Sequence, residues 1–241
     1  MNSRAGAAAA AWLLAAVYYF YQYALRSAPA VMMPQISGAF SLDALGAASL
    51  VGLFYYGYSP FSLIAGAALD RLGAKKVIPI GALMAGVGAL LFSTGSLPAA
   101  QFGRFLQGAG GVFALVGAVY IASKNFPASR AATLIGATQM FGMAGGSAGQ
   151  FLVGPMITAG LLWTHFWLGM GAIGLLVGVS LYFLLPKNEE PPDHAAGSAW
   201  LRQAASAMAT VFRNPQSLLG GLSAGLLFMP TTIVDMIWGV R

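Results

Sequence analysis

Long apolar stretches alternate along this chain with short clusters of charge, proline and turn residues. Seven stretches are long enough to cross a bilayer as helices, which takes about 20 residues each. The first runs from Ala7 to Met33, the second from Leu45 to Leu69, the third from Val77 to Ser96 and the fourth from Ala99 to Ala122. The fifth runs from Ala131 to Ala159 and the sixth from Phe166 to Leu185. The seventh, Ser217 to Val240, follows Asn214-Pro215, a helix-start signal. Between them lie a loop with Ser41 and Asp43, the charged hairpin Asp70 to Lys76, the turn Gly95-Ser96-Leu97-Pro98, and a loop with Lys124, Pro127 and Arg130.

The pattern changes after the sixth span. Residues 186–193 are polar, proline-rich and acidic, the signature of a linker. From Trp200 to Arg213 the apolar residues Leu201, Ala204, Ala205, Met208, Val211 and Phe212 fall at helical spacing, with Arg202, Gln203, Ser206 and Arg213 largely elsewhere. This predicts an amphipathic helix lying flat on the membrane. An extension of the seventh span is the other reading, and Asn214-Pro215 interrupts that path. The expected organisation is a six-helix bundle over 1–186, a linker with an interfacial helix over 187–214, and a seventh span over 215–241.

Composition supports lipid as the main solvent. The chain has 241 residues, 58% hydrophobic and 7% charged, against about 25% charged in soluble domains. Only helices and closed barrels satisfy their backbone in lipid, and barrel strands would be short and alternating. An all-α, polytopic membrane bundle follows. Arg4 and the alanines after it resemble a signal peptide. The apolar run continues to Leu25, beyond the roughly 7–15 residues of a signal core, so a retained first helix is expected.

The net charge of +6 reads as the inner-face excess of Lys and Arg, rather than a nucleic-acid surface. Arg4, Arg71, Lys75, Lys76, Lys124, Arg130, Lys187, Arg202 and Arg213 all fall in the segments that alternate to one side. That places the N-terminus on the cytoplasmic side, and a bacterial inner membrane is the expected setting. Cysteine is absent, and His165 and His194 lie far apart without clustered ligands, so no metal, cofactor or thiol chemistry is expected. No nucleophile–base pair suggests an enzyme.

Arg26 is the most informative side chain. A charge near the centre of a membrane helix costs roughly 2.5–3.5 kcal/mol, so it needs a cavity, a partner or the interface. Helical spacing places Tyr19, Gln22 and Tyr23 on its side. A watered cavity and snorkelling to the outer interface both remain open on physical grounds alone. Tyr55, Ser59 and Ser62 on the second span, and Gln139, Met143 and Gln150 on the fifth, are further candidates for a cavity lining. Arg104 lies near the outer end of the fourth span. Glycines 81, 86, 88, 142, 145, 146 and 149 suit close helix contacts.

Gly66-Ala67-Ala68-Leu69-Asp70-Arg71-Leu72-Gly73-Ala74-Lys75-Lys76 resembles the loop signature of the major facilitator superfamily, Gly-x-Leu-x-Asp-Arg-x-Gly-x-Lys-Lys, with Ala68 where leucine is usual. Arg104-Phe105-Leu106-Gln107-Gly108-Ala109-Gly110 resembles the family's Arg-x-x-x-Gly-x-Gly motif in its fourth span. Tyr23-x-x-Arg26 followed by Met33-Pro34 is similar to the first span of organic-anion and sugar-phosphate members.

The resemblance implies a secondary active transporter working by alternating access, with Arg26 gripping a small organic anion. It assigns gating or coupling to Gly66, Asp70, Arg71, Gly73, Lys75, Arg104 and Gly108. It implies twelve spans, of which this chain carries the first six and a seventh. The remaining helices are then expected from a second copy, a partner chain or a longer protein. Proton or sodium coupling is expected to need a carboxylate, and the first six spans hold none in their interior; Asp235 is the candidate. The alternative is a non-transporting membrane subunit of a larger complex.

Overall fold

The structure is a computed structural model that describes residues 3–186, 206 and 209–237, with side chains over 6–186, 206 and 209–230. The linker, including Lys187 and His194, and the interfacial-helix residues Trp200 to Ala205 lie outside the described residues. So does the side chain of Asp235.

The described residues are helical and contain no strand. In chain order the helices are α1 (Ser3–Ser27), a 3-10 turn (Ala28–Met32), α2 (Met33–Phe40), α3 (Ala44–Leu72), α4 (Ala74–Ser93), α5 (Leu97–Asn125), α6 (Ala128–Phe151), α7 (Val153–Thr158), α8 (Trp163–Leu184) and α9 (Pro215–Ile237).

Local chemistry sets most of the boundaries. Pro29 is the second residue of the 3-10 turn, and its missing N–H breaks the α1 ladder. Asp43 caps α3, its carboxylate accepting from the Gly46 N–H at 2.7 Å. Gly73 ends α3 at φ +79°, a conformation that favours glycine, and α4 starts at the next residue. Asn214 caps α9, its side-chain oxygen accepting from the Gln216 N–H at 3.0 Å, with Pro215 in the first turn.

Seven helices of 20 residues or more stand among the described residues where seven spans were expected. At 1.5 Å per residue each reaches about 30 Å or more, the thickness of the hydrocarbon core. Helices α4, α5 and α8 are apolar enough to cross alone. The run from Gly6 to Phe40 qualifies jointly with α3, bent by 117°. Polar side chains such as Gln22 and Arg26 on α1, or Gln139 and Gln150 on α6, dilute the apolar content of the others.

The first expected span extends further than its apolar run suggests, continuing through the 3-10 turn to Phe40. The fifth divides at Leu152 into α6 and the short α7.

α5 is the hub: it packs against α4 on one side, α3 on another and α1 on a third. α4 lies between α5 and α8, and α1 between α5 and α6. Small residues let α5 take this place. A Cβ at Gly108 would overlap the Phe54 carbonyl of α3, one at Gly110 the Gly81 carbonyl of α4, and one at Gly111 would stand 2.8 Å from Gln22 Cγ of α1. Without a hydrophobic drive between helices in lipid, such close approach is the main source of association.

Large apolar side chains make up much of the bundle's exposed surface, as suits a lipid-facing one. On α8 it includes Leu168, Ile173, Leu176, Val179 and Phe183.

The basic loops gather at one end. Lys75 Nζ donates to the Leu185 carbonyl at 2.8 Å, so the start of α4 and the end of α8 share a level. The opposite end carries Asp43 and the Gly95 turn.

Candidate functional site

Near the C-terminal end of α1 the structure gathers most of the predicted cluster. The Tyr19 hydroxyl donates to Gln139 Oε1 of α6 at 2.9 Å. Tyr23 meets Tyr19 edge to face, with centroids 4.8 Å apart. Arg26 is half-buried, its Cζ 4.0 Å from the centroid of the Tyr23 ring. That is contact distance for a guanidinium on an aromatic face. Phe228 of α9 approaches from elsewhere, with its centroid 5.8 Å from the same carbon.

Tyr58 of α3 completes the group. Its side chain is half-buried in the same neighbourhood as Tyr23, Arg26 and Tyr55. The sequence reading chose Tyr55 on this helix and passed over Tyr58. Spacing could have found it, because Tyr58 stands one turn from Tyr55 on the side towards α1.

Gln22 is not part of this stripe. It turns towards α5, is 1% exposed, and packs on Gly111. At 100° per residue, Tyr19, Tyr23 and Arg26 lie within about 60° of one another, and Gln22 sits at the edge nearest α5. Tyr55 is half-buried beside Phe54, and Gln139 is exposed apart from its bond to Tyr19. Ser59 and Ser62 are exposed on α3, where the Ser62 hydroxyl donates to the Ser59 carbonyl at 2.7 Å.

Arg104 occupies a different environment. It is 1% exposed and spends its donors on backbone. Nε and Nη2 donate to the Val51 carbonyl of α3 at 3.3 and 3.2 Å, and Nη1 donates to the Leu25 carbonyl of α1 at 3.3 Å. Nη1 also donates to Gln107 Oε1 at 2.6 Å.

The Leu25 bond has a local cause. Its usual helical donor would be the N–H four residues on, and that residue is Pro29. Arg104 supplies the donor that the proline lacks. The distance from Leu97 to Arg104 is about 10 Å along α5, so this level lies well inside the end of the bundle opposite the basic loops. Arg26 follows Leu25 at the same depth.

The hairpin residues separate into turn, clamp and open surface. Gly73 makes the turn. Lys75 holds the end of α8 through the Leu185 carbonyl. Arg71 is half-buried, and Asp70 is exposed near Tyr120 of α5. Nothing stands within 4 Å of a Cβ built on Gly66. Gly108 is where α3 and α5 come closest, as described above. Among the described residues no group of three or more His, Cys, Asp or Glu could hold a metal.

The bundle is therefore built for the membrane, with one arginine consumed by helix backbones and another held on a tyrosine face. No protein of curated function matches the chain. The family model of the Major Facilitator Superfamily matches residues 15–238, nearly the whole length, and that family consists of membrane transporters. The chain is a multi-pass membrane protein that belongs to the Major Facilitator Superfamily.

Proposed function

We propose that this chain forms the amino-terminal bundle of a secondary active transporter that moves a small organic anion, such as a carboxylate or a sugar phosphate, by alternating access. The supporting observation is Arg26: half-buried, stacked on Tyr23 at 4.0 Å, and set about 10 Å inside the bundle. A guanidinium presents planar, paired donors that match a carboxylate or phosphate. The contact with Tyr23 is made by the face of the guanidinium rather than by its in-plane N–H edge. The tyrosine hydroxyls nearby offer further donors. Arg104 is not a second candidate for the same role, because its donors already serve the Leu25 and Val51 carbonyls and Gln107.

In this reading residues 1–186 form one rocking bundle, 187–214 the cytoplasmic linker, and 215–241 the start of the opposing bundle. The opposing helices come from a second copy, a partner chain or further sequence. Transporters of this kind hold substrate between two such bundles near mid-membrane. The basic end faces the cytoplasm of a bacterial inner membrane, following the Lys and Arg bias. Asp70, Arg71 and Gly66 at that end serve the inner gate. Coupling to protons or sodium uses a carboxylate beyond the first six spans, Asp235 or one in the opposing bundle.

The test is uptake of labelled carboxylates and sugar phosphates into proteoliposomes. Wild-type uptake of one of these anions, abolished by Arg26→Ala and partly kept by Arg26→Lys, supports the assignment. Unchanged uptake in Arg26→Ala removes it.

A further inference from the structure

The polar groups deeper in the bundle than Arg26 carry no charge. Gln139 stands at the midpoint of α6 and is exposed, with its Oε1 accepting from the Tyr19 hydroxyl at 2.9 Å. Tyr58 stands at the midpoint of α3, half-buried, with Ser59 exposed beside it. Tyr58 shares the neighbourhood of Tyr19 and Tyr23, so α1, α3 and α6 bring these groups to one region. Among the described residues, the Gln139 Nε2 donors and the Tyr58 hydroxyl make no hydrogen bond. The midpoint of a spanning helix lies near the middle of the bilayer, where an amide facing lipid finds nothing to bond. These groups therefore border the volume between the bundles, and a polar occupant suits them.

No second cation joins them within the first bundle. Arg104 is 1% exposed, and its donors serve the Val51 and Leu25 carbonyls and Gln107. The guanidinium of Arg26 stands 4.0 Å from the Tyr23 ring, and that ring stands 4.8 Å from Tyr19. Gln139, bonded to Tyr19, thus lies about two helical turns from Arg26 along α1.

We infer that this neutral region holds a polyhydroxylated carbon chain or ring, so that the cargo is a sugar acid or a sugar phosphate rather than a dicarboxylate or an alkyl acid. The inference rests on the anion-transport reading for the charged end alone. A hydroxyl donates and accepts, so tyrosine, serine and glutamine match it without a charge. A second carboxylate would be desolvated beside neutral groups. An alkyl tail would leave the Gln139 amide and the Tyr58 hydroxyl unpaired. A tyrosine also gives the sugar carbons an apolar ring while its hydroxyl reaches an oxygen.

The experiment compares ligands of similar length on the full chain in nanodiscs, by calorimetric titration. Gluconate is set against hexanoate, which lacks the hydroxyls, and against adipate, which ends in a second carboxylate. Glucose-6-phosphate is set against hexyl phosphate. One hydroxylated member should bind about 10-fold tighter than its counterpart, as two ordinary hydrogen bonds would give. Which member does so separates a sugar acid from a sugar phosphate. Tyr58→Phe and Gln139→Leu should each cut that advantage by roughly 3- to 10-fold and leave binding of the hydroxyl-free counterpart within about 2-fold. That ratio is a readout that a merely structural role would not move.

Equal binding within both pairs, or adipate tighter than gluconate, overturns the sugar assignment and leaves the Arg26 site standing. A hydroxyl advantage that survives both substitutions overturns the role of Tyr58 and Gln139. Absence of binding by all five ligands, with Arg26→Ala indistinguishable from wild type, overturns both this inference and the anion-transport reading.

Discussion

Replacing Arg104 by methionine keeps most of the volume and removes every donor. Three acceptors are affected. The Val51 carbonyl retains the N–H of Tyr55, four residues on in α3, and loses little. Gln107 Oε1 loses a 2.6 Å bond, and the Leu25 carbonyl loses its 3.3 Å donor with only Pro29 in the position that would replace it. Polar contacts between membrane helices average about 0.6 kcal/mol and reach about 1.7. Two bared acceptors therefore put the loss at about 1–3 kcal/mol, lessened by the relief of no longer burying a cation.

The second change is Pro29→Ala, which returns an N–H in register with Leu25. With Arg104 present that N–H duplicates an existing donor, so the effect should be small. In the Arg104→Met background it should recover about 1 kcal/mol, and the cycle should show coupling of that size. Reversible unfolding by dodecyl sulfate in bicelles, followed by circular dichroism, measures all four variants. Additivity within about 0.3 kcal/mol would refute the claim that Arg104 stands in for the missing proline donor.

Gly108→Ala should destabilise the bundle by about 1–3 kcal/mol, because the new methyl overlaps the Phe54 backbone. Gly66→Ala, with nothing within 4 Å, should stay within about 0.5 kcal/mol in the same unfolding assay. Lys75→Met should weaken the end of α8 by about 0.3–1 kcal/mol, since it removes a cation from a helix C-terminus. Faster proteolysis just beyond residue 186 would show it; an unchanged cleavage rate would count against the clamp. In a cysteine-free chain, Lys76→Cys should react with an impermeant maleimide only from the cytoplasmic side and Ser41→Cys only from the other. The reverse pattern would invert the proposed orientation.

Much of this architecture could be read in one dimension. The caps at Asp43 and Asn214 and the turns at Gly73 and Gly95 rest on local backbone chemistry, which a sequence displays directly. The continuation of the first helix to Phe40 was hidden because a 3-10 turn follows Pro29 without ending the helical path. The tyrosine–arginine stripe was legible from spacing, but Gln22 lay on its border, and only the position of α5 decides which neighbour it faces. By position alone, near the end of its span, Arg104 suits an interfacial anchor slightly better than a coupling role. Its partners, Leu25 and Val51, are backbone carbonyls on two other helices, and carbonyls leave no mark in a sequence. The signal that was present, a proline four residues beyond Leu25, becomes informative only once α1 and α5 are known to touch. Lys75 and Leu185 likewise meet across 110 residues, which no local pattern records.

The central claim is that water and anions reach Arg26 inside the bundle. Labelling of the native protein with phenylglyoxal, read site by site by peptide mass spectrometry, tests it most directly, with buried Arg104 as an internal control. The account predicts that Arg26 is modified from the aqueous phase, that phosphate or succinate slows the modification, and that Arg104 stays unmodified. An unreactive Arg26, or one whose labelling is indifferent to either anion, would contradict it.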